Sequence, residues 1–227
     1  MPSRLERLVD ALHTFYGAVG SPPRDPFALF VWEVLSPHST PRKRDAALAA
    51  MKRIPALTPD AMWRAPRKKL EEAVARAGPY VENRLRALKA GSDRFRRMAD
   101  LPALIRGPIN PARRALKGLP QMGEGGAYRM LLFAGNHPLL PVDARVSRVA
   151  RRLGFGEKQG DFAKTARSIR EAVADQLPAS AGDYRRAFVY LSHHGASTCT
   201  EADPHCGVCP LRAECPTVQS SDFRIQT

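Results

Sequence analysis

The chain has 227 residues, enough for one large domain or two small ones around a sizeable core. Its 36 Lys and Arg against 22 Asp and Glu give a net charge of +14 and a pI near 10.3, which points to a polyanionic partner, nucleic acid or an anionic membrane surface. The membrane is the weaker candidate, because no apolar run approaches the roughly 20 residues a bilayer requires and the N-terminus is unlike a signal or transit peptide, so the expected location is cytoplasmic and nucleoid-associated.

The first segment, MPSRLERLVDALHTFYG, places Leu5, Leu8, Leu12 and Phe15 at helical spacing. DPFALFVWEVLS (residues 25–36) is apolar nearly all round and reads as the central buried helix of its domain, with TPRKRDAALAAMKRI and PRKKLEEAVARAG packed around it. Asp25-Pro26, Thr40-Pro41, Thr58-Pro59 and Asn110-Pro111 each set a capping oxygen before a proline suited to a first helical position. Gly78, Gly118, Gly154 and Pro178 mark helix ends. Later, Val142, Val146, Val149 and Leu153, then Phe162, Ala166, Ile169 and Val173, repeat the helical period. Alternating strand patterns are absent, and the expected fold class is all-α.

The stretch of residues 110 to 154 opens on a helix-hairpin-helix. A helix runs to Lys117, the turn GLPQMG follows, and a second helix carries Tyr128, Leu131 and Leu132. Such a turn presents backbone N–H groups at a helix N-terminus, where a DNA phosphate docks without any base being read. An ordinary αα-hairpin, with Gly123 as turn chemistry, fits the same letters. About twenty residues on, Asp143 stands in LLPVDARVSRV, where it reads as an N-cap or as a functional carboxylate. Arg145, Arg148, Arg151 and Arg152 follow it on one helix. Together with Arg113 and Arg114 at the hairpin, Arg145 and Arg148 are the candidates to track phosphates. Neutralising about six phosphates gives a slope near −5 for log affinity against log salt.

All four cysteines fall in CTEADPHCGVCPLRAEC: Cys199, Cys206, Cys209 and Cys215, spaced C-x6-C-x2-C-x5-C. Zinc sites usually use two close pairs, whereas only Cys206 and Cys209 are close here, an asymmetry that suits a [4Fe-4S] cluster better. A zinc knuckle and two disulfides are the alternatives.

Hairpin, aspartate, basic helix and four-cysteine tail, in this order and with His-Gly before Cys199, resemble the endonuclease III family of DNA glycosylases in the helix-hairpin-helix superfamily. The resemblance runs from about Asp25 to Pro216. It implies two helical domains with a cleft between them: a helical barrel over residues 24–140 with the hairpin, and a cluster domain of residues 1–23 plus 141–227. It implies a [4Fe-4S] cofactor on the four cysteines, and a monomer that acts on double-stranded DNA with damaged bases. The nucleotide is flipped and its N-glycosidic bond cut, with Asp143 at the position of the catalytic carboxylate.

The chain also departs from the family pattern. Bifunctional members read Leu-Pro-Gly-Val-Gly-x-Lys-Thr-Ala through the hairpin, where the lysine forms a Schiff base. Here the stretch is Leu119-Pro120-Gln121-Met122-Gly123-Glu124-Gly125-Gly126-Ala127, so Gly125 stands at the lysine position and Gln121 at the first glycine. Without an amine there, lyase chemistry is expected to be weak or absent, leaving a monofunctional enzyme for oxidised pyrimidines. Lys117 is the nearest substitute amine. In the loop LSPHSTP, His38 takes the place of the family's lesion-probing glutamine, and Pro79 and Tyr80 sit where relatives have a second intruding loop. Two other functions compete. One is a catalytically silent damage-binding protein. The other is adenine excision from mismatches, disfavoured because the chain stops eleven residues after Pro216, short of the extra domain such enzymes carry.

Overall fold

The computed structural model describes residues 1–54, 56–98 and 100–219, and every regular element in them is helical. They form two compact units, Pro22–His137 and Met1–Ser21 joined by the chain from Pro138 on. None of the described helices is long and apolar enough to cross a membrane.

The unit Pro22–His137 is built on α2 (Pro26–Leu35), which buries Phe27, Leu29, Phe30, Val31, Val34 and Leu35. It packs against α3 (Pro41–Arg53) and α6 (Val81–Arg97). Asp25, Thr40 and Thr58 each accept a backbone N–H three residues on, the last opening α4 (Pro59–Arg64), so the capping signs in the sequence correspond to real hydrogen bonds. α5 (Arg67–Ala75) packs on α3 and α6. Gly91 lets α2 and α6 approach closely, since a Cβ there would lie 2.1 Å from Phe30 Cζ. α7 (Leu101–Arg106), α8 (Ile109–Lys117) and α9 (Glu124–Phe133) complete the unit.

The start of α8 differs from the sequence expectation. The helix begins at Ile109 after Pro108, with no side-chain cap, and Asn110 and Pro111 lie within its first turn. The first amides of a helix have no intrahelical acceptor, so a proline there removes no bond.

In the other unit, α1 (Arg4–Tyr16) opens with a reciprocal Ser3–Glu6 capping box. It packs on α12 (Ala181–Ser197), which also carries α10 (Ala144–Arg152). Gly195 allows that last contact, because a Cβ there would come within 3.0 Å of Arg145 Cβ. α11 (Phe162–Ala174) covers α10. Leu5, Leu8 and Leu12 are buried as expected, whereas Phe15 and Phe162, at the ends of their stripes, are half exposed.

Candidate functional site

The four cysteines, from the end of α12 and two short 3-10 turns (Cys206–Val208 and Arg212–Glu214), line one cavity of about 30 Å³. Its walls include Val149, Leu153 and Leu211, all buried. All four are free thiols, so the disulfide alternative is not what the fold forms. Among the described residues, no three His, Cys, Asp or Glu side chains converge for a single metal ion. A zinc ion would need its sulfurs about 2.3 Å from one point, whereas a four-iron cubane takes one thiolate at each corner of a larger body. Burial, and then the neighbouring thiolates of Cys199 and Cys215, push the Cys206 thiol up. Burial likewise raises Cys209. A multiply charged inorganic centre would offset that crowding of thiolates.

Donors surround the sulfurs. Arg152 Nη1 donates to Cys199 Sγ at 3.3 Å, and His194 Nε2 lies 3.7 Å from Cys209 Sγ. His194 is buried, and burial followed by the charge of His193 holds its pKa down at about 4, so the ring is neutral. Its Nδ1 lies 2.8 Å from the Tyr16 hydroxyl. With that hydroxyl donating, the ring proton is on Nε2 and faces the sulfur. The donor set, the apolar lining and the N–H groups fit an iron-sulfur cluster.

Asp143 is the N-cap of α10. Its Oδ1 accepts the Val146 N–H at 2.9 Å, and the residue is half-buried. The same helix reaches the cysteine segment through two arginines. Arg148 donates to the carbonyls of Cys199 (2.9 Å) and Gly195 (2.6 Å), and Arg152 to that of Thr200 (2.7 Å). Arg148 is therefore turned inward and spends its guanidinium on the fold, whereas Arg145 is exposed. The sequence could not separate the two, because both fit the basic pattern of the helix.

In the hairpin, buried Leu119 and Met122 anchor the turn. Gln121 has φ 58 and donates through Nε2 to Asn83 O at 3.2 Å. A residue with a Cβ thus occupies a left-handed position that glycine adopts more readily. Gly123 is the N-cap of α9, with nothing within 4 Å of a Cβ placed on it, and Gly125 is the second residue of that helix. Lys117 Nζ lies 3.0 Å from Glu124 Oε2, and Arg113 pairs with the other oxygen, so the nearest amine is engaged by a carboxylate. Partial burial would raise the Glu124 pKa, but hydrogen bonds from Lys117 and Arg113 outweigh it and pull the value below the ordinary range. The same bond raises Arg113. Arg114 is exposed. His38 is exposed, with φ 53 and its ring 5.2 Å from that of Tyr80.

The predicted residues thus fall into two groups. His38, Gln121, Gly123, Gly125, Arg113, Arg114 and Lys117 lie in the unit Pro22–His137, while Asp143, Arg145, Arg148 and the cysteines lie in the other. Sequence reasoning missed Glu33, Arg84, Arg129 and the contact of Arg152 with sulfur. A lone glutamate inside an otherwise apolar helix was the available sign for the first of these.

No known protein-family profile matches the chain. It is 26% identical over 199 residues to the chloroplastic endonuclease III homolog 2 of Arabidopsis thaliana, an alignment that covers 86% of this chain and 50% of that protein. It is 26% identical over 193 residues to the endonuclease III of Treponema pallidum, covering 85% and 84%. The chain is thus similar in sequence to the endonuclease III family. It spans half the length of the Arabidopsis member and most of the Treponema member. The fold is shared with a trapped covalent intermediate of endonuclease III with DNA, which superposes with a TM-score of 0.71 at 21% identity over 95% of this chain and 96% of that one.

Proposed function

We propose that the protein is a DNA N-glycosylase that removes damaged bases, oxidised pyrimidines first among them, without forming a Schiff base. The observation that carries this reading is the placement of Asp143. In a chain similar to endonuclease III, the aspartate caps a helix that Arg148 and Arg152 fasten to the four-thiol cavity. A carboxylate fixed in this way opposes the positive charge that develops on the sugar as the base leaves with the bonding electrons, and accepts a proton from the attacking water.

The four cysteines would hold a [4Fe-4S] cluster, whose contribution when bound is to tie the tail together through metal-thiolate bonds. The protein's own residues do the rest. The uncapped first amides of α9 and the exposed Arg114 and Arg145 bind phosphates, consistent with the net charge of +14. Gly125 supplies no amine, and Lys117 is held by Glu124, which supports a hydrolytic route.

The deciding experiment incubates the protein with duplexes carrying thymine glycol, other oxidised pyrimidines, or an abasic site, with and without borohydride. Base release without a trapped adduct supports the proposal. Binding without release from any lesion assigns the protein to damage recognition alone.

A further inference from the structure

At the end of α1 it is Tyr16, half-buried, that turns its hydroxyl onto α12, while its neighbour Phe15 stays half exposed. Three side chains from the last turn of α12 and its C-cap meet that one oxygen: His194 Nδ1 at 2.8 Å, Thr198 Oγ1 at 2.6 Å and Ser197 Oγ at 3.3 Å. The ring itself packs edge-on against His193, with centroids 4.6 Å apart. A phenylalanine would make that ring contact equally well, so the packing does not account for the hydroxyl.

The far side of His194 accounts for it. Its Nε2 lies 3.7 Å from Cys209 Sγ. A metal-bound thiolate has lone pairs and no proton, so with iron present every hydrogen along this line points the same way. Nε2 carries the ring proton and donates to sulfur, Nδ1 accepts from the Tyr16 O–H, and the Thr198 O–H is left to donate to the Tyr16 oxygen. His194 and Thr198 are both buried, which keeps bulk water from competing for these bonds. The line thus runs from α1, at the start of the chain, to a sulfur near its end.

We propose that Tyr16 is a positioning residue for the cluster: its hydroxyl fixes the His194 proton on Nε2, and the N–H donated to Cys209 Sγ raises the cluster's reduction potential. An electron added to the cluster places more negative charge on its sulfurs, so a donor aimed at one of them stabilises the reduced state more than the oxidised one. This inference rests on the cluster reading above, but not on base excision.

The test measures the reduction potential of the whole protein, purified without air, by a redox titration followed by electron paramagnetic resonance and visible absorbance. His194→Leu has no donor to offer the sulfur. At a fixed electrode potential its reduced-to-oxidised ratio should fall about tenfold, which for one electron is a shift of about 59 mV. Tyr16→Phe frees the ring proton to move to Nδ1, and the ratio should fall in the same direction by about threefold with the iron content unchanged. His194→Gln, whose terminal amide still offers an N–H to the sulfur, should stay within about twofold of the natural ratio. Should His194→Leu fail to hold iron, Tyr16→Phe decides the matter. A Tyr16→Phe protein with its iron and an unchanged potential overturns the proposal. So does one that loses its iron, because the hydroxyl would then hold the cage together and not tune it. A His194→Gln shift as large as that of His194→Leu overturns it as well. Zinc in place of iron sinks the cluster reading and this inference with it, whereas an iron-loaded protein whose potential ignores both residues sinks this inference alone.

Discussion

Glu33 and Arg129 are joined by two parallel bonds, Nε to Oε1 at 2.5 Å and Nη2 to Oε2 at 2.7 Å, with both side chains largely buried. The pair ties α2 to α9, and Glu33 Oε2 would lie 3.2 Å from a Cβ placed on Gly126. Arg129 and Arg44 both stand over the ring of Trp32, at 5.9 and 4.4 Å. The most apolar of the described helices therefore contains one carboxylate fixed by a partner 96 residues away.

Removing one member of that pair leaves the other charge buried. Glu33→Leu or Arg129→Leu alone should cost about 3–5 kcal/mol of unfolding free energy, and the double change should recover most of the loss. Urea denaturation of the four proteins tests this. Additive losses in the double variant would show that the two side chains act independently.

Glu124 gives a pH signature. Its pKa is lowered in the fold, so the stability it contributes is fully present above the ordinary glutamate value of 4.5 and is lost as pH falls through and below it. The melting-temperature gap between the natural protein and Glu124→Gln should be constant near neutral pH and close below about pH 4.5. A gap that widens in acid would contradict the Lys117 and Arg113 contacts.

Much of this architecture is readable from the sequence, for identifiable reasons. Asp25, Thr40 and Thr58 cap helices as their spacing predicts, because capping depends on residues three apart. Leu5, Leu8 and Leu12 are buried because a helical stripe follows from local period. The four cysteines share a cavity, as their nearness along the chain suggests. The fate of the charges is not readable in this way. Arg148 and Arg145 look alike in the sequence, yet only Arg148 meets the carbonyls of Cys199 and Gly195, 47 or more residues away. Glu33, Arg84 and Arg129 are likewise defined by long-range partners that no periodicity reveals.

The cysteine cage makes a spectroscopic prediction. Protein purified without air should be brown and carry iron and acid-labile sulfide in equal amounts, and Cys209→Ser should lose both. Zinc as the sole bound metal would overturn the cluster assignment. Because Arg148 and Arg152 tie α10 to the cysteine segment, iron removal should also lower the melting temperature.

The most direct test is the single-turnover excision rate of Asp143→Asn on the best lesion substrate. Asparagine caps a helix about as well as aspartate, so the bond to the Val146 N–H and the fold should survive while the charge is lost. The account predicts unchanged melting and DNA affinity, with excision slowed by about a hundredfold or more. A variant that excises at the natural rate would contradict it, and Asp143 would then be a helix cap and nothing else.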